Sequence, residues 1–236
     1  MKIPSILLLT ACLLTIGRSE PTSPASPISR LTKPVYGWNV KIDLRLLEGG
    51  DLYETIGKRA VTRVISDLGR ISILVPGKQL RELRKVMIIL DEHPSLKGAQ
   101  YHPSRKWLIE NGHEAALAKC VHITKASLYA DPEHILVQPS VLIHELSHSY
   151  HDQVLGYDYE PLKKAFARAQ LEGRYAKVLF ITGGMRKHYA LSNEKEYFAE
   201  ATEAWFGTND FYPFVRSELQ AHDPGLYELM AEIWGR

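Results

Sequence analysis

Cysteine is scarce in this chain, charge of the two signs is nearly balanced, and no apolar run reaches membrane-spanning length. The two cysteines are Cys12 and Cys120. Because Cys12 precedes the predicted cleavage point described next, the mature chain keeps one thiol and no internal disulfide, so its stability must come from a packed core. Cys120 lies in an apolar stretch and reads as a buried strand thiol in preference to a nucleophile. The 29 Lys and Arg against 27 Asp and Glu leave a net charge of +2, which gives no electrostatic reason for a nucleic-acid partner or an anionic membrane surface. The N-terminal apolar run, Ile3 to Ile16, is short for a bilayer span. No internal repeat is present.

That run follows Lys2 and ends in Gly17-Arg18-Ser19, whose small residues suit cleavage before Glu20. It predicts a signal peptide over residues 1–19 and a secreted or extracytoplasmic product with no membrane attachment in its mature form. A lipoprotein signal, with Leu9-Thr10-Ala11-Cys12 as its lipobox, ranks second, because its Cys comes early and apolar residues follow it. Residues 20–34, EPTSPASPISRLTKP, have little to bury and predict a flexible leader. The rest, residues 35–236, suffices for one substantial domain, with an N-terminal lobe over about 35–155 and a C-terminal lobe over about 156–236.

Trp38 to Leu46 carries apolar residues at even positions, the period of a half-buried strand. Leu52, Ile56, Ala60, Val64 and Leu68 recur every four residues and predict an amphipathic helix over 51–69. Ile71 to Val75 reads as a second strand, Gln79 to Lys85 as a short helix, and Val86 to Leu90 as a central strand, apolar throughout. Tyr101 to Ser104 looks like a strand end, Arg105 to Glu110 a short helix, and Lys119 to Thr124 a strand that would edge a cleft and pair with an extended peptide. Beyond residue 156 the pattern turns helical: Glu160 to Gly173, a hairpin around Thr182-Gly183-Gly184, a helix capped by Ser192 or Asn193 and ending at Gly207, then helices over about 212–221 and 224–234. The class is α+β.

The chemistry concentrates in VLIHELSHSYH, Val141 to His151. Val137, Val141, Leu142, Leu146 and Tyr150 recur at helical spacing, with Pro139 in the expected first turn. On a helix His144 and His148 project from one face, where two imidazoles reach one metal ion. Nitrogen donors on a rigid element suit zinc, a tetrahedral ion that keeps one position for water. Glu145 is too close in sequence to be a comfortable third ligand and is placed to take a proton from water at the metal.

A third ligand must come from downstream. Val154, six residues after His148, excludes the metzincin arrangement. Asp152 sits on the same helix and cannot easily close a tetrahedron, and Asp158 lacks the glycine-bounded motif expected around an aspartate ligand. In HYALSNEKEYFAEATEAWF, Glu196, Glu200 and Glu203 share one helix face, a row that a cation would hold or that water would simply solvate.

The pairing of HELSHSYH with Tyr189, Asn193, Glu196 and Glu200 in register resembles the gluzincin metallopeptidases, specifically the group related to the catalytic domain of anthrax toxin lethal factor. YHPSRKWLIENG and QPSVLIHELSH resemble secreted microbial members of that group, so the resemblance runs from about Trp38 to the C-terminus. It implies a zincin-like fold with an N-terminal mixed sheet, a central motif helix and a mainly helical C-terminal lobe. It also implies one zinc per chain on His144, His148 and Glu196, Glu145 as base, and Tyr189 as donor to the oxyanion. Glu200, one turn after Glu196, is expected to orient a ligand histidine. The implied partner is a peptide or protein substrate, and a monomer is favoured. The rival reading is a secreted binding or surface protein whose metal is closed off by a fourth ligand such as His151 or His188.

Overall fold

The computed structural model describes residues 28–235. The predicted signal peptide, and residues 20–27 of the predicted leader, lie outside them. The architecture is α+β. A five-stranded mixed sheet has the order β1 (Arg30–Val35), β2 (Trp38–Asp43), β3 (Met87–Leu90), β5 (Cys120–Ile123), β4 (Ala99–Tyr101). Its three inner strands run parallel and both edges pair antiparallel. No described helix is long and apolar enough to cross a membrane.

β1 corrects the leader expectation, since residues 30–34 are paired in the sheet. The turn after it has Tyr36 at φ 48° and Gly37 at φ 90°, the two positive angles of a tight hairpin. A tyrosine seldom adopts such an angle, so the turn is hard to read from residue type. β2 behaves as its alternation predicts through Asp43, with Trp38, Val40 and Ile42 buried, and the chain then coils into a 3-10 turn over Leu44–Leu46.

The helix predicted over 51–69 begins as a π-helical turn at Tyr53–Gly57 and continues as α1, Lys58–Leu74. Ile71 to Val75, predicted as a strand, is the end and cap of α1. Ile71 extends the buried series Ala60, Val64 and Leu68, so helical burial outweighs the strand preference of its β-branched neighbours. After α2 (Gly77–Leu83), β3 occupies the predicted central place. Ile88 and Leu90 face the main core beside Val121 and Ile123, while Ile89 joins Leu108, Leu117 and Cys120 in a small second cluster.

β4 is the sheet edge beside the cleft, in place of the predicted strand over 119–124, which is β5 and is covered by β4. The short helices α3 (Arg105–Glu110), α4 (Ala126–Tyr129) and α5 (Pro132–Val137) lead to α6, Val141–Tyr150. Val137 therefore belongs to α5, and Pro139 lies between the helices because it cannot donate into a turn. α7 (Glu160–Glu172) ends on Gly173 at φ 66°, as predicted. The hairpin strands are only two residues each, β6 (Val178–Leu179) and β7 (Met185–Arg186). Tyr189 follows in a 3-10 turn, Tyr189–Ser192, and not at a strand end. α8 (Glu194–Phe206), α9 (Arg216–His222, later than predicted) and α10 (Pro224–Trp234) complete the chain.

Three devices hold α6 against α8. Nearly every α6 side chain is buried. Trp234 of α10 packs at 4.5 Å from the Tyr150 ring and stacks at 5.7 Å from Phe198, tying both helices to one aromatic centre. Ser140, just before α6, donates its hydroxyl to the Thr208 carbonyl at 2.8 Å and accepts from the Thr208 amide at 3.2 Å. Gly207 makes room for this clamp, since a Cβ there would lie 2.6 Å from Ser140 Oγ. Gly207→Ala is therefore expected to lower unfolding free energy by about 1–3 kcal/mol in urea titrations, through displaced and unpaired groups. An unchanged midpoint would show the clamp to be unimportant.

Candidate metal centre

Asn193 caps α8 by accepting from the Lys195 and Glu196 amides at 2.9 and 3.1 Å. This fixes the first turn, from which Glu196 points at the histidine face of α6. The Nε2 atoms of His144 and His148 lie 3.1 and 3.4 Å from the same oxygen of Glu196, Oε2. The three donor atoms are mutually within 4.8 Å. Zinc bonds of about 2.0–2.1 Å in a tetrahedron put neighbouring donors about 3.3 Å apart. Two of the three edges match that spacing and the third is within 4.8 Å, so the donors are of a number and type that could hold such an ion.

The second nitrogen of His144 decides which carboxylate orients the ring. Nδ1 lies 2.7 Å from Glu203 Oε1 and 3.8 Å from Glu200 Oε1, which corrects the expectation for Glu200. At about 100° per residue, Glu203 falls about 20° from Glu196 around the helix and Glu200 about 40° to the other side. Charge agrees with geometry. Burial, then the Glu203 charge, pushes Glu200 well above the usual carboxylate range, and the same causes raise Asp210 to about 7. Of the two carboxyls near Nδ1, Glu203 is the one at hydrogen-bond distance.

Burial opposes a charge on His144, yet hydrogen bonds to Glu196 and Glu203 hold its pKa well above the ordinary imidazole value. Burial likewise works against the Glu196 anion, and hydrogen bonds from His144 and His148 keep its pKa below the ordinary carboxylate value. The pair of helices creates a buried place where positive charge is stabilised, whether by a proton or by a metal ion that displaces it.

A cleft of about 690 Å³ opens over this group and is also lined by Glu145, Tyr189 and β4. Glu145 Oε2 accepts the Tyr101 amide at 2.7 Å, an interaction no residue-type argument anticipates because the donor is backbone. The ladder explains it. Gly98 accepts from Thr124 and His102 donates to Cys120, so the even positions of β4 turn to β5 while Ala99 and Tyr101 turn their peptide groups to the open edge. Tyr189 is half exposed in the cleft, and its hydroxyl has no hydrogen-bond partner among the described residues. Burial, then the Glu196 charge, raises its pKa, so the phenol keeps its proton.

The remaining candidates point elsewhere. Asp152 accepts from Tyr101 Oη at 2.6 Å and also pairs with Lys119, and Asp158 is exposed beside Lys163. His151 is buried against Tyr157 and Phe198, and His188 stacks on Phe211, so neither offers a fourth ligand to the His144, His148 and Glu196 group. Cys120 is buried in β5 as expected, with burial raising its thiol. Tyr157 and Asp210 line the cleft without having been singled out in the sequence. Neither sits at helical spacing from the motif, and Tyr157 arrives through Gly156 at φ 80°.

Comparison with family models, with curated proteins and with solved structures finds no match to this chain. Glu203→Ala is expected to weaken zinc binding about 10- to 100-fold, measured by chelator competition, and Glu200→Ala much less. Equal losses would return the orienting assignment to Glu200.

Proposed function

We propose that the chain is an exported zinc metallopeptidase with a zincin-like fold, of the gluzincin kind its two motif segments resemble. The observation that carries the reading is the convergence of two imidazole nitrogens on one carboxylate oxygen, with Glu145 lining the same cleft. His144, His148 and Glu196 would hold one zinc ion, with Glu203 fixing the His144 tautomer. Bound there, zinc supplies a Lewis acid for a carbonyl and makes water acidic near neutral pH.

The chain's own groups do the rest. The open edge of β4 offers the Ala99 amide and carbonyl to an extended peptide, which aligns the scissile bond along the cleft. Glu145 takes the proton of the attacking water and returns it to the leaving amine. Its hydrogen bond from the Tyr101 amide keeps the carboxylate directed inward. Tyr189 donates its phenol proton in a hydrogen bond to the oxyanion as charge develops there. The alternative sites of His151 and His188 support a metal position left open to water rather than a closed structural one.

The purified mature protein is expected to hold about one zinc per chain and to cleave members of an unbiased peptide library. Loss of zinc in His144→Ala but not in Glu196→Ala would disprove the proposed ligand set. Glu145→Gln should keep zinc and melting temperature while activity falls by several orders of magnitude, because an amide cannot accept the proton. Tyr189→Phe should lower kcat about ten- to a thousandfold with KM and zinc unchanged. A raised KM alone would make Tyr189 a ground-state binding residue.

A further inference from the structure

The acidic and basic groups of the cleft differ in their partners. Its carboxylates, Glu145, Glu196, Glu200, Glu203 and Asp210, are buried or half-buried; Glu145 meets the β4 edge, and Glu196, Glu200 and Glu203 face His144. Its two cations are Arg186, which is exposed, and Lys195, which is half-buried. Neither is in an ion pair among the described residues. Each is instead laid over an aromatic ring, Arg186 at 4.1 Å from the Phe180 centroid and Lys195 at 4.2 Å from that of Tyr157.

The rings are themselves anchored. Phe180 packs on Phe211, and Phe211 stacks on buried His188. Tyr157 packs edge-on to buried His151, which packs on Phe198. A cation held on such a stack has already given up much of its side-chain freedom. Its N–H groups have no carboxylate partner among the described residues and can accept one as a ligand.

Deepening the peptidase reading on which it rests, we propose that this cleft selects peptides with aspartate or glutamate beside the scissile bond, held by Arg186 and Lys195. Zinc held there would offset two of the buried negative charges, its imidazole ligands being neutral, and the two ring-held cations are the cleft's positive side chains for an acidic residue. A basic side chain, by contrast, would meet two like charges.

The test uses the full chain carrying Glu145→Gln, loaded with zinc, so that peptides bind without being cut. Two pools of labelled degenerate octapeptides are compared by fluorescence anisotropy, identical except that their central positions hold Asp or Asn. The Asp pool should bind about five- to thirtyfold tighter at low salt, the sum of two partly exposed charge-assisted pairs. Added salt should shrink that preference. Arg186→Glu combined with Lys195→Glu should reverse it in favour of a Lys pool, while Arg186→Lys combined with Lys195→Arg should restore most of it. Equal binding of the Asp and Asn pools, or a preference that survives charge reversal, overturns the proposal. Zinc content and library cleavage by the unaltered protein report separately on the peptidase reading. If neutral peptides are cut and the pools bind equally, only the selectivity fails; if nothing is cut, the peptidase reading fails while the pools still decide selectivity.

Discussion

The packing of α8 against α6 places a carboxylate of one helix between two imidazoles of the other, and the functional reading depends on that contact. Burying Glu196, Glu203 and His144 away from water is costly unless each charge meets an opposite one. Here each nitrogen of His144 has a carboxylate oxygen within 3.1 Å, and the Glu196 oxygen is shared with His148. A cluster of this kind does not hold itself together. The Trp234, Tyr150 and Phe198 rings and the Ser140 to Thr208 clamp supply the apolar burial and fixed spacing that keep the charged groups opposed.

The sheet contributes direction. Because β4 pairs antiparallel with β5, its alternate peptide groups turn outward, and one of these, the Tyr101 amide, reaches Glu145. A single register thus aligns the edge where a peptide would lie with the carboxylate that would act on it. A slip of one residue would turn the other peptide groups outward and leave Glu145 without that donor. Charge is divided by partner in the same cleft, with anions against the His144 and His148 pair or the β4 edge and the two cations laid over aromatic rings.

Long periodic segments were legible in the sequence and short irregular ones were not. The series Ala60, Val64 and Leu68 and the Asn193 cap of α8 are local features, and both appear as read. Ile71 to Val75 suits a strand locally, with four apolar residues of which Ile71, Ile73 and Val75 are β-branched, while their burial is set by a core built from distant segments. Arg30 to Pro34 falls in the predicted leader because its composition has little to bury. It is held by backbone pairing to β2 and by Arg30, which reaches Asp91 at 2.7 Å.

The sequence by itself determined the donor types and their helical phase: His144 and His148 four apart on one face, Glu145 beside them, and a row of three glutamates on a second helix. It did so because helical geometry follows from neighbours within two turns. Which glutamate meets which imidazole nitrogen depends on how two helices distant in sequence are rotated against each other. Only the tertiary structure decided that Glu196 faces both Nε2 atoms, that Glu203 rather than Glu200 holds Nδ1, and that β4 rather than β5 borders the cleft. Those choices come from long-range packing of aromatic and aliphatic side chains, whose partners no local spacing records.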